Sequence, residues 1–110
     1  MIVKVFIKRK VRQGSTMDAF HLLNKLRRKA MNHQGYISGE TLVSADDDGE
    51  LLVISTWDSM EDWVNWKESQ ERKTIDAQLE VFQVKATEYE PFVFSKYKLA
   101  VKSGFQEALG

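Results

Sequence analysis

Residues 51–66, LLVISTWDSMEDWVNW, change their hydrophobic period halfway, and this change constrains the fold more than any other feature of the chain. The first half, residues 51–57, is an apolar run containing β-branched residues, which predicts a strand. In the second half, apolar residues recur at helical spacing, at Met60, Trp63, Val64 and Trp66. Ser59 and Asp62 stand three positions apart at the junction, as in a capping box with aspartate in place of glutamate. The stretch therefore predicts a strand that leads directly into a helix.

All three tryptophans of the protein, Trp57, Trp63 and Trp66, lie in this stretch. Large flat rings at a strand-to-helix junction either fill a core or line a pocket for a flat apolar ligand. Trp57 ends the strand, which favours a place in the core or in a dimer contact. Trp63 and Trp66 are three positions apart on the helix, so the two rings could flank one cavity. For Trp66 both interpretations, core packing and pocket wall, stay open.

The composition excludes several classes of protein. A chain of 110 residues with 43% apolar and 29% charged residues is typical of one globular domain. Its formal net charge of zero provides no overall field that would attract nucleic acid or an anionic membrane. The absence of cysteine excludes disulfides, thiolate nucleophiles and zinc-thiolate sites. We therefore expect a cytoplasmic protein that binds neither nucleic acid nor membrane.

Alternation of apolar and polar residues predicts the remaining strands. They fall at residues 2–11, 36–44 and 84–94. Asp48-Gly49, between the second and third strands, predicts a tight hairpin turn. Pro91 lies within the last strand and cannot donate a ladder hydrogen bond, so we expect an interruption there, with an edge position or a bulge.

Helical spacing predicts the other elements. A first helix begins at Ser15 or Thr16 and ends before Gly35. It carries an apolar stripe at Met17, Phe20, Leu23, Leu26, Ala30 and Met31. A second helix covers residues 59–67, and the apolar spacing after it predicts either a further short helix or a bent extension.

The order strand, helix, strand, strand, helix, strand predicts an α+β fold of the ferredoxin-like βαββαβ type with a four-stranded antiparallel sheet. We assign residues 1–95 to this domain and residues 96–110 to a C-terminal tail. Both faces of the predicted strands carry large apolar residues, for example Val5 and Phe6 on opposite sides of the first strand. Two helices cover only one face of such a sheet. We therefore expect a homodimer in which the two sheets pack face to face.

Three segments carry a resemblance to a known family: HQGYISGETL at 33–42, LLVISTWDSMEDWVNW at 51–66 and KESQERK at 67–73. Together they resemble the antibiotic biosynthesis monooxygenase (ABM) domain family over about residues 2–94. The resemblance implies a dimeric α+β barrel. It also implies a cavity between sheet and helices where molecular oxygen reacts with the anion of a flat phenol, without flavin, haem or metal.

The resemblance also implies roles for particular residues. Trp66 corresponds to the tryptophan at the end of the family's helix, and Asn65 to an asparagine often found beside it. The haem-degrading branch of the family adds an asparagine on the first strand and a histidine ten residues beyond the tryptophan. This chain has Asp76 at the histidine position, and Ile7 and Lys8 on the first strand. We therefore expect no haem and no other cofactor.

The remaining candidates are polar residues near the predicted pocket. His21, on the first helix, could act as the base that removes a phenolic proton, or could be a surface histidine. His33, near the end of that helix, is a weaker candidate for the same role. Tyr36 and Tyr89 could orient a substrate oxygen. The predicted catalytic residues are thus His21, Asn65 and Trp66, and the predicted substrate-binding residues are Trp57, Trp63, Tyr36 and Tyr89.

The resemblance implies a cofactor-independent monooxygenase that acts on a small aromatic or quinol compound with molecular oxygen. The alternative is a non-catalytic small-molecule-binding or stress-related module on the same dimeric scaffold. The basic cluster Lys25, Arg27, Arg28 and Lys29 has no aromatic residues interleaved with it, so we interpret it as a solvated helix face rather than an RNA site.

Overall fold

The computed structural model describes residues 1–94 and contains four strands and three helices. In chain order these are β1 (Val3–Lys10), α1 (Thr16–Ala30), β2 (Tyr36–Val43), β3 (Glu50–Trp57), α2 (Met60–Lys67), α3 (Gln70–Glu80) and β4 (Glu88–Val93). The predicted tail, residues 96–110, lies outside the described residues. None of the helices within residues 1–94 combines the length and the apolar character that a bilayer crossing requires.

The strands form one sheet in the order β2-β3-β1-β4, and each neighbouring pair is antiparallel. This arrangement confirms the predicted ferredoxin-like α+β fold. β1 is an inner strand, which pairs Val3 with Trp57 of β3 and with Val93 of β4. Pro91 lies in β4, an edge strand, as its missing N–H group predicts. The expected interruption is absent, because β4 stays paired with β1 on both sides of the proline.

The core lies between the sheet and the helices. Val3, Val5 and Ile7 alternate along β1 and are buried on the face that the helices cover. They pack with Trp57, which has no exposed surface. A second apolar cluster, around Leu79 and Leu23, joins α3 to α1. The period-2 pattern of β1 therefore groups Val3, Val5 and Ile7 correctly on one face, and the structure shows that the helices cover it.

The stripe on α1 differs from the prediction at its ends. Met17 and Met31 are exposed, with 67% and 61% of their surface accessible. Leu23 and Ala30 of the predicted stripe are buried, Phe20 and Leu26 are half-buried, and Ala19 is buried in addition. Intervals of three and four residues define a face only to within a fraction of a turn, so the predicted stripe was rotated at both ends. Ser15 occupies the N-cap position without a side-chain hydrogen bond.

The strand-to-helix junction has the predicted cap. The Asp62 N–H group donates to Ser59 Oγ at 3.1 Å, and the Ser59 hydroxyl donates to Asp62 Oδ2 at 2.9 Å. Gly35 packs against this cap with a φ of +85°, and a Cβ at Gly35 would overlap the Asp62 side chain. The Asp58 N–H group donates to the Gly35 carbonyl at 2.7 Å. The segment that follows α1 is therefore held against the start of α2 by these contacts.

The segment after α2 is a separate helix, α3, rather than a bent extension. Ser69 is its N-cap and accepts a hydrogen bond from the Arg72 N–H group at 3.2 Å. The predicted last strand is too long at its start, because β4 begins at Glu88. Before it, the Val84 N–H group donates to the Lys10 carbonyl and Gln83 forms an isolated bridge with Val11.

The connection between β2 and β3 is wider than the predicted tight turn. Residues 44–49 form it, and Gly49 does not have the positive φ that a two-residue Asp-Gly hairpin turn requires. The Gly49 N–H group instead donates to Asp47 Oδ1 at 2.9 Å. The hairpin itself is as predicted, with β2 and β3 antiparallel.

Candidate functional site

A cavity of about 50 Å³ lies between the helices and the sheet, beside the end of α2. Every helix contributes to its wall, together with β1, β2 and β3. Its lining residues are Ile7, Arg9, Leu23, Leu26, Arg27, Ala30, Tyr36, Gly39, Val53, Ser55, Trp63, Trp66 and Arg72. Aromatic rings and aliphatic side chains form most of this wall, and three arginines interrupt it. The cavity therefore combines an apolar surface with a local concentration of positive charge.

The tryptophans form one aromatic cluster at the cavity. Trp63 and Trp66 are 3% and 5% exposed, because helical spacing turns both toward the sheet. Trp57 lies beneath them, and its ring stacks on that of Trp66 with centroids 6.2 Å apart and planes inclined by 24°. The Trp57 indole N–H donates to Ser55 Oγ at 2.7 Å, so its polar edge is satisfied inside the core. Both interpretations of Trp66 therefore hold, because its ring packs in the core and also forms part of the cavity wall.

Other rings extend the cluster on two sides. His33 meets Trp66 edge to face at a centroid distance of 4.6 Å, and its Nε2 lies 3.9 Å from Glu71 Oε2. Tyr89 of β4 lies 6.0 Å from Trp63, centroid to centroid. Neither His33 nor Tyr89 lines the cavity itself. Both help to hold the tryptophans in place.

Tyr36 and Arg27 converge on the β2 wall above Gly39. A Cβ at Gly39 would lie 2.8 Å from Tyr36 Oη and 3.2 Å from Arg27 Nε, so only glycine leaves room for both groups. Burial raises the pKa of the Tyr36 phenol above its ordinary value, and the charge of Arg27 opposes this rise in part. The phenol is therefore protonated at neutral pH and can donate a hydrogen bond into the cavity.

Two further arginines and one aspartate form a buried charged group on the opposite wall. Arg9 Nη1 lies 2.8 Å from Asp76 Oδ1, with side chains only 3% and 13% exposed. Arg72 Nη2 lies 3.8 Å from Asp76 Oδ2 and donates to the hydroxyl of Tyr89. Because Asp76 and Arg72 are four residues apart on α3, their side chains lie on one face of that helix, where Asp76 meets Arg9 of β1 and Arg72 meets Tyr89 of β4. This group fixes α3 to the sheet.

The structure brings together some of the predicted site residues. Trp63, Trp66 and Tyr36 line the cavity. Trp57 lies beneath the cavity, in ring contact with all three of these residues. Tyr89 does not line the cavity but packs against Trp63, which does.

His21 and Asn65 are not part of this assembly. Both are exposed, and neither lines the cavity. His21 is two residues from Ala19 and from Leu23, about 200° around the helix, and so points away from the buried face of α1. Asn65 lies between Trp63 and Trp66, whose inward direction turns it outward. A catalytic role for either residue has no support from the geometry of this cavity.

The sequence interpretation missed the arginines. Arg9 falls in the same alternation as Val5 and Ile7, which predicts a charged residue on the buried face, and this was the available signal. The interpretation of the basic cluster as a solvated helix face is wrong for Arg27, which is half-buried and lines the cavity. It holds for Lys25, Arg28 and Lys29, which are exposed.

The donor set does not suit haem. At the position where the haem-degrading branch has its histidine, Asp76 is bound to Arg9 at 2.8 Å instead of being available to a metal. Within residues 1–94 no three His, Asp or Glu side chains lie close enough together to hold a metal ion.

The model of the antibiotic biosynthesis monooxygenase family matches residues 2–78 of this chain. The chain belongs to this family. The match covers β1 through most of α3 and so includes every residue that lines the cavity. The resemblance seen in the sequence is thereby confirmed.

Solved structures of other proteins share the fold. A conserved protein from Methanosarcina mazei superposes with a TM-score of 0.80 at 17% identity, covering 86% of this chain and 94% of that one. SnoaB, a cofactor-independent oxygenase from Streptomyces nogalater, gives a TM-score of 0.77 at 13% identity, with coverage of 86% and 94%. The protein Rv0793 from Mycobacterium tuberculosis gives 0.77 at 18% identity, with coverage of 87% and 97%. At such low sequence identity, these superpositions show only that the proteins share a fold. No functionally curated protein matches the sequence.

Proposed function

We propose that this ABM-family protein is a cofactor-independent monooxygenase that acts on a small aromatic or quinol-type compound. The observation that carries the proposal is the cavity walled by Trp63 and Trp66, with the protonated hydroxyl of Tyr36 beside it. The likeness of fold to SnoaB, itself a cofactor-independent oxygenase, supports the same class of reaction.

In the proposed reaction the tryptophan rings hold the substrate ring, and Tyr36 donates a hydrogen bond to the substrate oxygen. The guanidinium groups of the wall favour the ionised form of a bound phenol, because opposite charge stabilises the anion. Molecular oxygen then adds to a carbon of this anion. One oxygen atom stays on the substrate as a carbonyl, and the other leaves as water with two hydrogens from the substrate.

The volume of the cavity limits the substrate to a small one. An apolar cavity of about 150 Å³ is enough to hold benzene. The cavity here measures about 50 Å³ and must widen to admit a ring. A single ring is therefore favoured over a polycyclic substrate.

One observation favours the second candidate function, a non-catalytic small-molecule-binding module. Among residues 1–94 no histidine and no carboxylate lines the cavity, and Asp76, which contacts the lining residue Arg9, is already paired with it. The described residues thus place no free general base at the ligand. The two functions differ in product formation, which the following measurement tests.

We expect the wild-type protein to consume oxygen above the buffer rate with at least one member of a panel of phenols, hydroquinones and anthrones. Trp66→Ala should reduce the rate by about 100-fold, because the substrate ring loses the surface that orients it. Trp66→Phe should retain part of the activity. An oxygen electrode measures the rates, and circular dichroism confirms that each variant is folded.

The matched control is Val64→Ala, an exposed position on the same helix with 42% of its surface accessible. Its rate should equal that of the wild type. Undiminished oxygen uptake by folded Trp66→Ala would contradict the proposed site. Saturable binding of a panel compound without oxygen uptake would favour the binding module.

We further propose that the protein acts as a homodimer with its sheets face to face. The sheet face away from the helices carries Phe6 and Phe92 in edge-to-face contact, with centroids 5.2 Å apart. Phe92 and Leu42 on this face are 53% and 45% exposed. Apolar exposure of this kind on one continuous face marks an association surface. A second copy of the same face would cover it, giving the dimeric α+β barrel.

Phe92→Glu tests this interface. The substitution should weaken self-association by at least about 30-fold, because a buried aromatic anchor is replaced by a charge in each protomer. Light scattering coupled to size-exclusion chromatography should show the wild type as a dimer and the variant as a monomer at equal concentration. Met17→Glu, at an exposed position on α1, should remain dimeric. A monomeric wild type would refute the dimer.

A further inference from the structure

The positive charge around the cavity exceeds the negative charge by two. The side chains of Arg9, Arg27 and Arg72 all line it. Within residues 1–94 the one carboxylate that forms an ion pair with any of them is Asp76, at 2.8 Å from Arg9 and 3.8 Å from Arg72. The chain as a whole has a formal net charge of zero, so this excess is a local property of the site. Buried charge without a partner is costly, which points to an anionic ligand.

Arg9 has unused donor capacity in the interior of the protein. The residue is 4% exposed, and its Nη1 lies within hydrogen-bond distance of three acceptors, on Asp76, Gln83 and Thr87, at 2.8, 2.9 and 3.2 Å. Its Nε, in contrast, is fully enclosed and has no hydrogen-bond partner within the described residues. Native proteins leave few such groups unpaired, so Arg9 adds an unsatisfied donor to the excess of positive charge at this wall.

The opposite wall offers a second set of donors. Arg27 Nη2 donates to the hydroxyl of Thr41, a neutral partner, and no carboxylate within residues 1–94 pairs with this guanidinium. The protonated hydroxyl of Tyr36 stands beside it over Gly39. Arg27 and Tyr36 therefore bring donors to the cavity from α1 and β2, and Arg9 adds a guanidinium charge from β1.

We propose that this cavity binds the carboxylate of a small aromatic acid, with the ring against Trp66. The cavity of about 50 Å³ must widen to take the ring together with the carboxylate, as it must for any aromatic substrate. The planar guanidinium of Arg27 or Arg9 matches the two oxygens of such a group. The inference builds on the proposed function, since it names the chemical class of the substrate, but it concerns binding alone.

The rest of the wall distinguishes an aromatic acid from an inorganic anion. Trp63, Trp66, Leu26 and Ala30 present apolar surface next to the guanidinium groups. A ligand with one charged end and one apolar ring satisfies both parts of this wall. Inorganic phosphate would contact the arginines and make no use of the apolar part of the wall.

Benzoate and benzamide provide a matched pair of probes, because they have the same ring and nearly the same shape but differ in charge. Isothermal titration calorimetry of the intact protein should show benzoate binding at least about tenfold more tightly than benzamide. Arg27→Gln should reduce this ratio to about threefold or less, because it removes a guanidinium that has no carboxylate partner within residues 1–94. Arg9→Met should have the same effect if the variant folds.

Arg28→Gln is the control, because Arg28 is the exposed neighbour of Arg27 and should keep the wild-type ratio. Equal affinities for benzoate and benzamide, or no detectable binding of benzoate at millimolar concentration, would overturn the proposal. Displacement of benzoate by an equal concentration of inorganic phosphate would also overturn it, as it would indicate a general anion site. Failure of the monooxygenase proposal would appear separately, as preferential benzoate binding without oxygen uptake by any compound.

Discussion

Replacing Trp57 with alanine is expected to lower the free energy of unfolding by about 3–5 kcal/mol, the range for truncation of a buried tryptophan. Trp57 has no exposed surface and stands where the sheet meets α2. Its ring lies within 6.2 Å of those of Tyr36, Trp63 and Trp66, centroid to centroid, so alanine would leave a void under the whole aromatic cluster. The substitution would also remove the hydrogen bond that the Trp57 indole N–H donates to the Ser55 hydroxyl.

Urea unfolding followed by circular dichroism measures this loss. All variants must be compared at one protein concentration, because dissociation of a dimer would add to the unfolding free energy. Trp57→Phe should lose less, since most of the ring volume remains. Met60→Ala, at an exposed position on α2, should change the stability by no more than about 0.5 kcal/mol. A loss below about 1 kcal/mol for Trp57→Ala would show that this ring is not central to the core.

Asp76→Asn is expected to lower the free energy of unfolding by about 3–5 kcal/mol, the cost of breaking a buried ion pair by removal of one partner. The substitution keeps the shape of the side chain and removes its charge. Arg9, which is 3% exposed in its side chain, would then be a buried cation without a carboxylate partner among the described residues. Arg72 would lose its more distant carboxylate as well.

The chain contains an ion pair that makes a matched control. Glu68 and Lys73 approach within 2.9 Å, close to the 2.8 Å between Asp76 and Arg9, but their side chains are more than half exposed. Glu68→Gln should have the same urea midpoint as the wild-type protein, because exposed ion pairs are screened by water. The double variant Arg9→Met, Asp76→Asn should recover part of the loss, since it no longer buries an unpaired guanidinium there. Equal midpoints for Asp76→Asn and Glu68→Gln would contradict this account.

Local patterns were sufficient to predict most of the fold. Alternation along β1 placed Val5 and Phe6 on opposite faces of the sheet, and the structure has them so. The Ser59 cap and the edge position of Pro91 were predictable because a single residue type carries each signal. These features depend on neighbours within a few residues, which a sequence shows directly.

The site was predicted only in part. The spacing of Trp63 and Trp66 placed both rings on one side of α2, where the structure has them. His21 was placed beside the apolar stripe of α1, and the true buried face runs through Ala19 and Leu23, which turns His21 to solvent. A helical period of 3.6 residues leaves the angle of a face uncertain when the apolar positions are few.

The sequence by itself determined the order of the elements, the faces of the strands and the presence of a tryptophan-rich junction. Only the tertiary structure showed that Arg9, Arg27 and Arg72 meet at one cavity. Arg9 and Asp76 are 67 positions apart, and nothing in the residues near either one indicates the other. Periodicity tells which side of an element a residue faces. The residues that it meets there depend on how β1, α1 and α3 pack together, and that packing decides the charge of the site.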